Sequence, residues 1–123
     1  MLRKRYPNRR THVPPHTPAK ASETFCRGAT ELTGEEVEQQ VMDYLRERLG
    51  KPVGLWNACY DLVMCAAPNW SAARPEAAFY RRQVMRLVRE GKVVRYYRQP
   101  LRDKIRINEG YANPEHAVAD RHF

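Results

Sequence analysis

The sequence predicts an α+β domain, mainly helical, in which three helices are followed by a β-hairpin and preceded by a disordered basic arm. Three observations carry this. Apolar residues recur at helical spacing in three windows between Thr33 and Glu90. Gly91 then switches the pattern to two short β-like runs. Positive charge is concentrated on the last helix and the hairpin. Residues 74–106 hold eleven Lys/Arg against three acids, a net +8 that equals the net charge of all 123 residues. The remaining charge is segregated as well: +5 over residues 1–31, −3 over 32–73 and −2 over 107–123. A basic face beside an acidic shoulder suits a polyanionic partner.

Residues 1–31 carry Pro7, Pro14, Pro15 and Pro18, few aliphatic side chains, and the clusters Arg3-Lys4-Arg5 and Arg9-Arg10. Such a segment buries too little apolar surface to offset its ordering entropy, so disorder is expected. It reads as a solvated tail or as a basic arm that tracks phosphates or enters a minor groove. In a eukaryotic source a nuclear-import signal is a third reading.

Order is expected from Leu32. Thr33 and Glu36 have capping-box spacing, with Leu32 and Val37 as the hydrophobic staple. Val37, Val41, Tyr44, Leu45 and Leu49 form a helical stripe that Gly50 and Pro52 close, while Glu35, Glu38, Asp43 and Glu47 face outward. After a connector with one extended residue at Val53, a second helix over about 55–66 buries Leu55, Cys59, Leu62, Val63 and Ala66. Residues 67–74 read as a loop whose Trp70 packs back on the helices.

Pro75 suits the first position of a third helix, over 75–90, where its missing N–H costs nothing. Tyr80, Val84, Leu87 and Val88 form its inward stripe. Arg82, Arg86 and Arg89 then fall on the opposite side, flanked by Phe79 and Gln83. Arginine and glutamine are the side chains that most readily bond purine edges in a major groove. Gly91 suits a left-handed cap. Val93, Val94, Tyr96 and Tyr97 give the next run β character, and Gln99 to Asp103 turns the chain. Lys104-Ile105-Arg106-Ile107 alternates, with the isoleucines inward. The hairpin then presents Arg98, Arg102, Lys104 and Arg106 outward.

The order helix, connector, helix, loop, helix, Gly, hairpin resembles the winged helix-turn-helix superfamily. Leu87-Val88-Arg89-Glu90-Gly91-Lys92-Val93-Val94 is similar to its junction between recognition helix and wing. The resemblance covers about residues 32–108, the expected winged-helix domain, with 109–123 as a C-terminal tail. It implies that the third helix enters the major groove through Phe79, Arg82, Gln83, Arg86 and Arg89. Arg98, Arg102 and Lys104 of the wing would touch backbone or the adjacent minor groove. The implied partner is nucleic acid, double-stranded DNA first. RNA and an acidic protein are the rivals, and a homodimer is left open.

Other classes fit poorly. No run approaches the roughly 18 apolar residues of a membrane span, and no apolar core follows the basic N-terminus as in a secretory signal. Cys26, Cys59 and Cys65 are odd in number and lack C-x-x-C spacing, so neither a disulfide framework nor a zinc site is expected. His12, His16, His116 and His122 all lie in the tails, and there is no phosphate loop or nucleophile elbow. The expectation is therefore a non-enzymatic DNA-binding protein without a cofactor, cytoplasmic and nucleoid-associated, or nuclear in a eukaryote.

Overall fold

The computed structural model describes residues 18–64 and 69–112. The arm residues Arg3, Lys4, Arg5, Arg9 and Arg10 lie outside the described residues, as does the C-terminal segment from 113. The first helix, α1 (Gly34–Glu47), begins with the capping box read from the sequence. The Glu36 N–H donates to Thr33 Oγ1 at 3.1 Å, and the Thr33 N–H donates to Glu36 Oε1 at 2.8 Å. Its inward stripe buries Val37, Val41, Met42 and Leu45. Leu49, expected as the last member of that stripe, is instead 85% exposed. The helix has already ended at Arg48, and Leu49 takes a left-handed φ of 54° that turns its side chain outward.

Helix α2 (Leu55–Met64) buries Leu55, Ala58, Cys59 and Val63. Helix α3 (Trp70–Arg89) starts five residues before the expected position at Pro75. Asn69 is the reason: its Oδ1 accepts the Ala72 N–H at 2.9 Å and nucleates the helix ahead of the proline. Pro75 is tolerated in the second turn, and the loop expected over 67–74 shrinks accordingly. At the other end Gly91, at φ 81°, supplies the left-handed cap that the sequence implied.

Strands β4 (Val93–Tyr96) and β5 (Lys104–Ile107) form the expected antiparallel hairpin, Val93 facing Ile107 and Tyr96 facing Lys104. A two-residue strand, β3 (Val53–Gly54), pairs along the other edge of β5, so the order is β3-β5-β4. The central strand is thereby covered on both edges, and Ile105 and Ile107 are buried on the helices. The Leu55 N–H donates to Asp103 O at 2.8 Å, which ties the start of α2 to the start of β5.

The expectation of disorder up to residue 31 is corrected by a second small sheet. Strand β1 (Thr24–Arg27) pairs antiparallel with β2 (Thr30–Thr33) around a turn in which Gly28 has φ 58°. Here they are called the N-terminal hairpin. Its seat is α3: the Phe25 ring stacks on Phe79 with centroids 5.6 Å apart, and Arg27 pairs with the buried Glu76 carboxylate. Folded structure thus begins before residue 24, with Ala19 already buried. The prolines lie almost entirely before it, and the segment after them is seated by contacts to α3 more than by its own apolar content. The class is α+β, with three helices and two small antiparallel sheets. No helix among the described residues is long and apolar enough to cross a membrane.

Candidate nucleic-acid interface

Helix α3 carries most of the residues that composition and periodicity singled out. Its buried arc is wider than its apolar residues alone require. Ala73, Ala77, Tyr80, Val84 and Leu87 face the core, and Glu76, Phe79, Gln83 and Arg86 extend the buried surface to one side. The N-terminal hairpin and residues 19–23 cover that extension. Three of the five residues expected to enter the groove, Phe79, Gln83 and Arg86, are therefore turned inward, while Arg82 is half-buried and Arg89 exposed. Gln83 is 0% exposed and Arg86 4%. Gln83 Nε2 donates to Lys20 O at 3.0 Å, and its Oε1 accepts from Arg86 Nε at 2.8 Å.

Gly34 makes this close approach feasible. A Cβ there would stand 2.7 Å from both Ala21 O and Gln83 Oε1, so only glycine lets these three segments meet.

Arg86 is the centre of an internal ion cluster. It reaches Glu38 at 2.9 Å and Glu90 at 2.9 Å, and Lys92 Nζ reaches the same Glu38 at 2.7 Å. Burial acts to raise the Glu38 carboxyl. The hydrogen bonds from Lys92 and Arg86 outweigh it and hold the group below the usual carboxylate range. Glu90 is lowered against its burial in the same way. A guanidinium committed to two carboxylates and a glutamine has no donors to spare for a purine. Arg82 and Arg89 form the seam: Arg82 pairs with Glu23 at 2.9 Å, and Arg89 Nη2 donates to Ala19 O at 2.9 Å.

The hairpin residues fare differently. Arg98 and Arg102 are exposed, Lys104 is half-buried, and none of the three has an acidic partner among the described residues. Arg106 is half-buried, donating from Nε to the Tyr96 hydroxyl and from Nη1 to Ile107 O at 2.9 Å.

The open side of α3 carries residues that the sequence reading left without a role. Ser71, Arg74 and Ala78 are exposed along it, with Arg81 and Met85 half-buried beside them. Trp56 and Tyr60 of α2 flank this row, and the Arg81 guanidinium lies 5.5 Å from the Trp56 ring centroid. On the other flank Arg95 of β4 reaches Met85 Sδ at 3.5 Å, pairs with Asp103 at 3.0 Å, and lies 5.0 Å from the Tyr97 ring centroid. The surface is therefore continuous from α2 across α3 to the β4–β5 hairpin. Arg74 and Arg81 have no acidic partner among the described residues.

Trp70, expected in the core, is 60% exposed while still against Tyr60, their centroids 4.7 Å apart. No group of three or more His, Cys, Asp or Glu among the described residues could hold a metal ion. Comparison with known proteins gives no match to a family model, a curated protein or a solved structure.

Proposed function

We propose that this chain is a winged-helix protein that binds double-stranded DNA, using the open side of α3 and the β4–β5 hairpin as its wing. Two features support the fold reading. A short strand between α1 and α2 pairs with the second strand of the C-terminal hairpin, and the helix before that hairpin is the longest and most basic. The observation that carries the function is how the cations divide. Arg82, Arg86, Lys92 and Arg95 are matched to Glu23, Glu38, Glu90 and Asp103. Arg74, Arg81, Arg89, Arg98, Arg102 and Lys104 have no such match among the described residues, and Arg89 alone of them is held by a backbone carbonyl of the covered side.

In this reading Arg98, Arg102 and Lys104 hold phosphates and fix the register. Arg81 and Arg74 face the groove, where a guanidinium bonds guanine O6 and N7, and Met85 and Ala78 offer apolar contact to thymine methyls. Regulation of transcription or replication is the role such a reader serves. If Arg98, Arg102 and Lys104 each meet a phosphate, affinity should fall about fortyfold between about 50 and 200 mM salt. Anisotropy titration of a fluorescein-labelled duplex at both salts measures this. Salt-independent affinity, or preference for structured RNA over the duplex, overturns the reading.

A further inference from the structure

The corner between α2 and α3 has aromatic side chains that the duplex reading leaves without a role. Trp56 and Trp70 are the chain's two tryptophans, and both are exposed, by 43% and 60%. They flank Tyr60, with centroids 5.8 Å and 4.7 Å from its ring. In front of Trp56 and Tyr60 is an open hollow of about 580 Å³, completed by Ser71, Arg74, Pro75 and Ala78. Its size falls within the roughly 300–1,000 Å³ of small-molecule sites. An indole normally buries its large apolar face, so Trp56 left partly in water at a concavity, with Trp70 exposed against the same Tyr60, points to an absent ligand.

The chemistry of the rim narrows what that ligand is. None of the residues lining the hollow is acidic. Arg74 borders it, and Arg81 lies against the Trp56 ring with its Nε covered and unbonded among the described residues. A cationic ligand is repelled. An acidic peptide answers the charge but offers the rings no flat face. A nucleotide answers both, its base stacking on an indole and its phosphate meeting Arg74. The base must be unpaired, because a base inside a duplex has both faces already stacked.

We infer that this corner holds an unpaired nucleotide beside the duplex, so that the preferred substrate is a duplex with a single-stranded extension or junction. The inference rests on the proposed duplex binding. The hollow adjoins the row Arg74, Ala78 and Arg81, so a strand leaving a duplex laid along α3 meets it directly.

Because Trp56 lines the hollow and Trp70 lies against the same Tyr60, intrinsic fluorescence reports its occupancy without a label. The titrants are a blunt duplex, the same duplex with a short thymidine overhang, and that overhang with abasic sugars. The thymidine overhang is expected to bind on the order of tenfold more tightly than the other two and to quench the emission. Trp56→Ala, and to a smaller extent Trp70→Ala, should remove that advantage with a much smaller loss on the blunt duplex, where Arg81 loses only the ring it lies against. Trp56→Phe, which keeps a stacking face, should retain part of it. Equal affinity for all three titrants overturns the inference, as does a uniform loss on all three in the alanine variants. Quenching by polyglutamate and by no oligonucleotide also overturns it, in favour of an acidic protein. If the blunt duplex fails to bind even at low salt while the overhang strand alone still quenches, the corner stands and the duplex reading falls.

Discussion

The two sides of α3 carry the same residue type to opposite ends. On the side under the N-terminal hairpin, Arg86 is buried with Glu38, Glu90 and Gln83, and its charge is spent inside the protein. On the open side, Arg74 and Arg81 face solvent and aromatic rings with no carboxylate in reach among the described residues. Arginine content alone says nothing of which is which. What separates them is where the acids sit. Glu23, Glu38 and Glu90 all border the covered side, so pairing there removes both signs from the surface and leaves the open side positive.

Four substitutions or titrations break or sharpen this contrast. The largest effect is expected from Arg86→Ala, which strands two carboxylates and a buried glutamine oxygen. Loss of one member of a buried pair costs about 3–5 kcal/mol. Lys92 still serves Glu38 here, so a loss of about 3 kcal/mol in urea unfolding is expected, with duplex affinity of the folded protein unchanged. A stable Arg86→Ala variant that binds DNA weakly would reverse the assignment of the two sides. Next comes the double variant Arg74→Ala/Arg81→Ala. It should weaken duplex binding by on the order of tenfold and reduce discrimination between duplex sequences, with the salt dependence little changed. Its unfolding midpoint should move little, since an exposed guanidinium over a ring is worth about 0.5–1 kcal/mol.

Acid tests the covered side from another direction. The folded Glu38 and Glu90 carboxyls titrate below their unfolded value of 4.5. Their contribution is therefore complete above that value and is lost as pH falls through the lower, folded one. Urea midpoints measured from neutral pH downward should decline below about pH 4.5, and Glu38→Gln should reduce the decline by about 1 kcal/mol. A decline unaltered by Glu38→Gln would place the acid sensitivity elsewhere. The smallest effect is expected at the seam. Arg82→Ala breaks a partly exposed pair with Glu23 and should cost at most about 1 kcal/mol, measurable as a shift in the same urea midpoint.

Much of the fold was legible because it depends on local rules. The capping box at Thr33, the Gly91 cap and the alternation of Ile105 and Ile107 each follow from a few adjacent residues. The orientation of α3 did not, because its buried arc is set by a partner more than 40 residues away in sequence. A signal for that partner was present. Thr24-Phe25-Cys26-Arg27 and Thr30-Glu31-Leu32-Thr33 are two short runs about a Gly28-Ala29 turn, which is a hairpin pattern. Averaging the composition over residues 1–31 hid it behind prolines that precede it. Extending α3 back to the Asn69 cap would likewise have shown Ala73 and Ala77 on the inward side. The candidate surface suffered from the same omission: Arg74, Arg81 and Arg95 were the residues left without a role, and Trp70 was assigned to the core.

The N-terminal hairpin also sets a clock. Its anchors join residues far apart in the chain: Arg27 to Glu76 across 49 positions, Glu23 to Arg82 across 59 and Ala19 to Arg89 across 70. A ribosome adding about 5–20 residues per second makes the later partner roughly 2–14 s after the earlier one. The first strands synthesised thus wait for their seat, and throughout that interval the face of α3 they will cover is still being made.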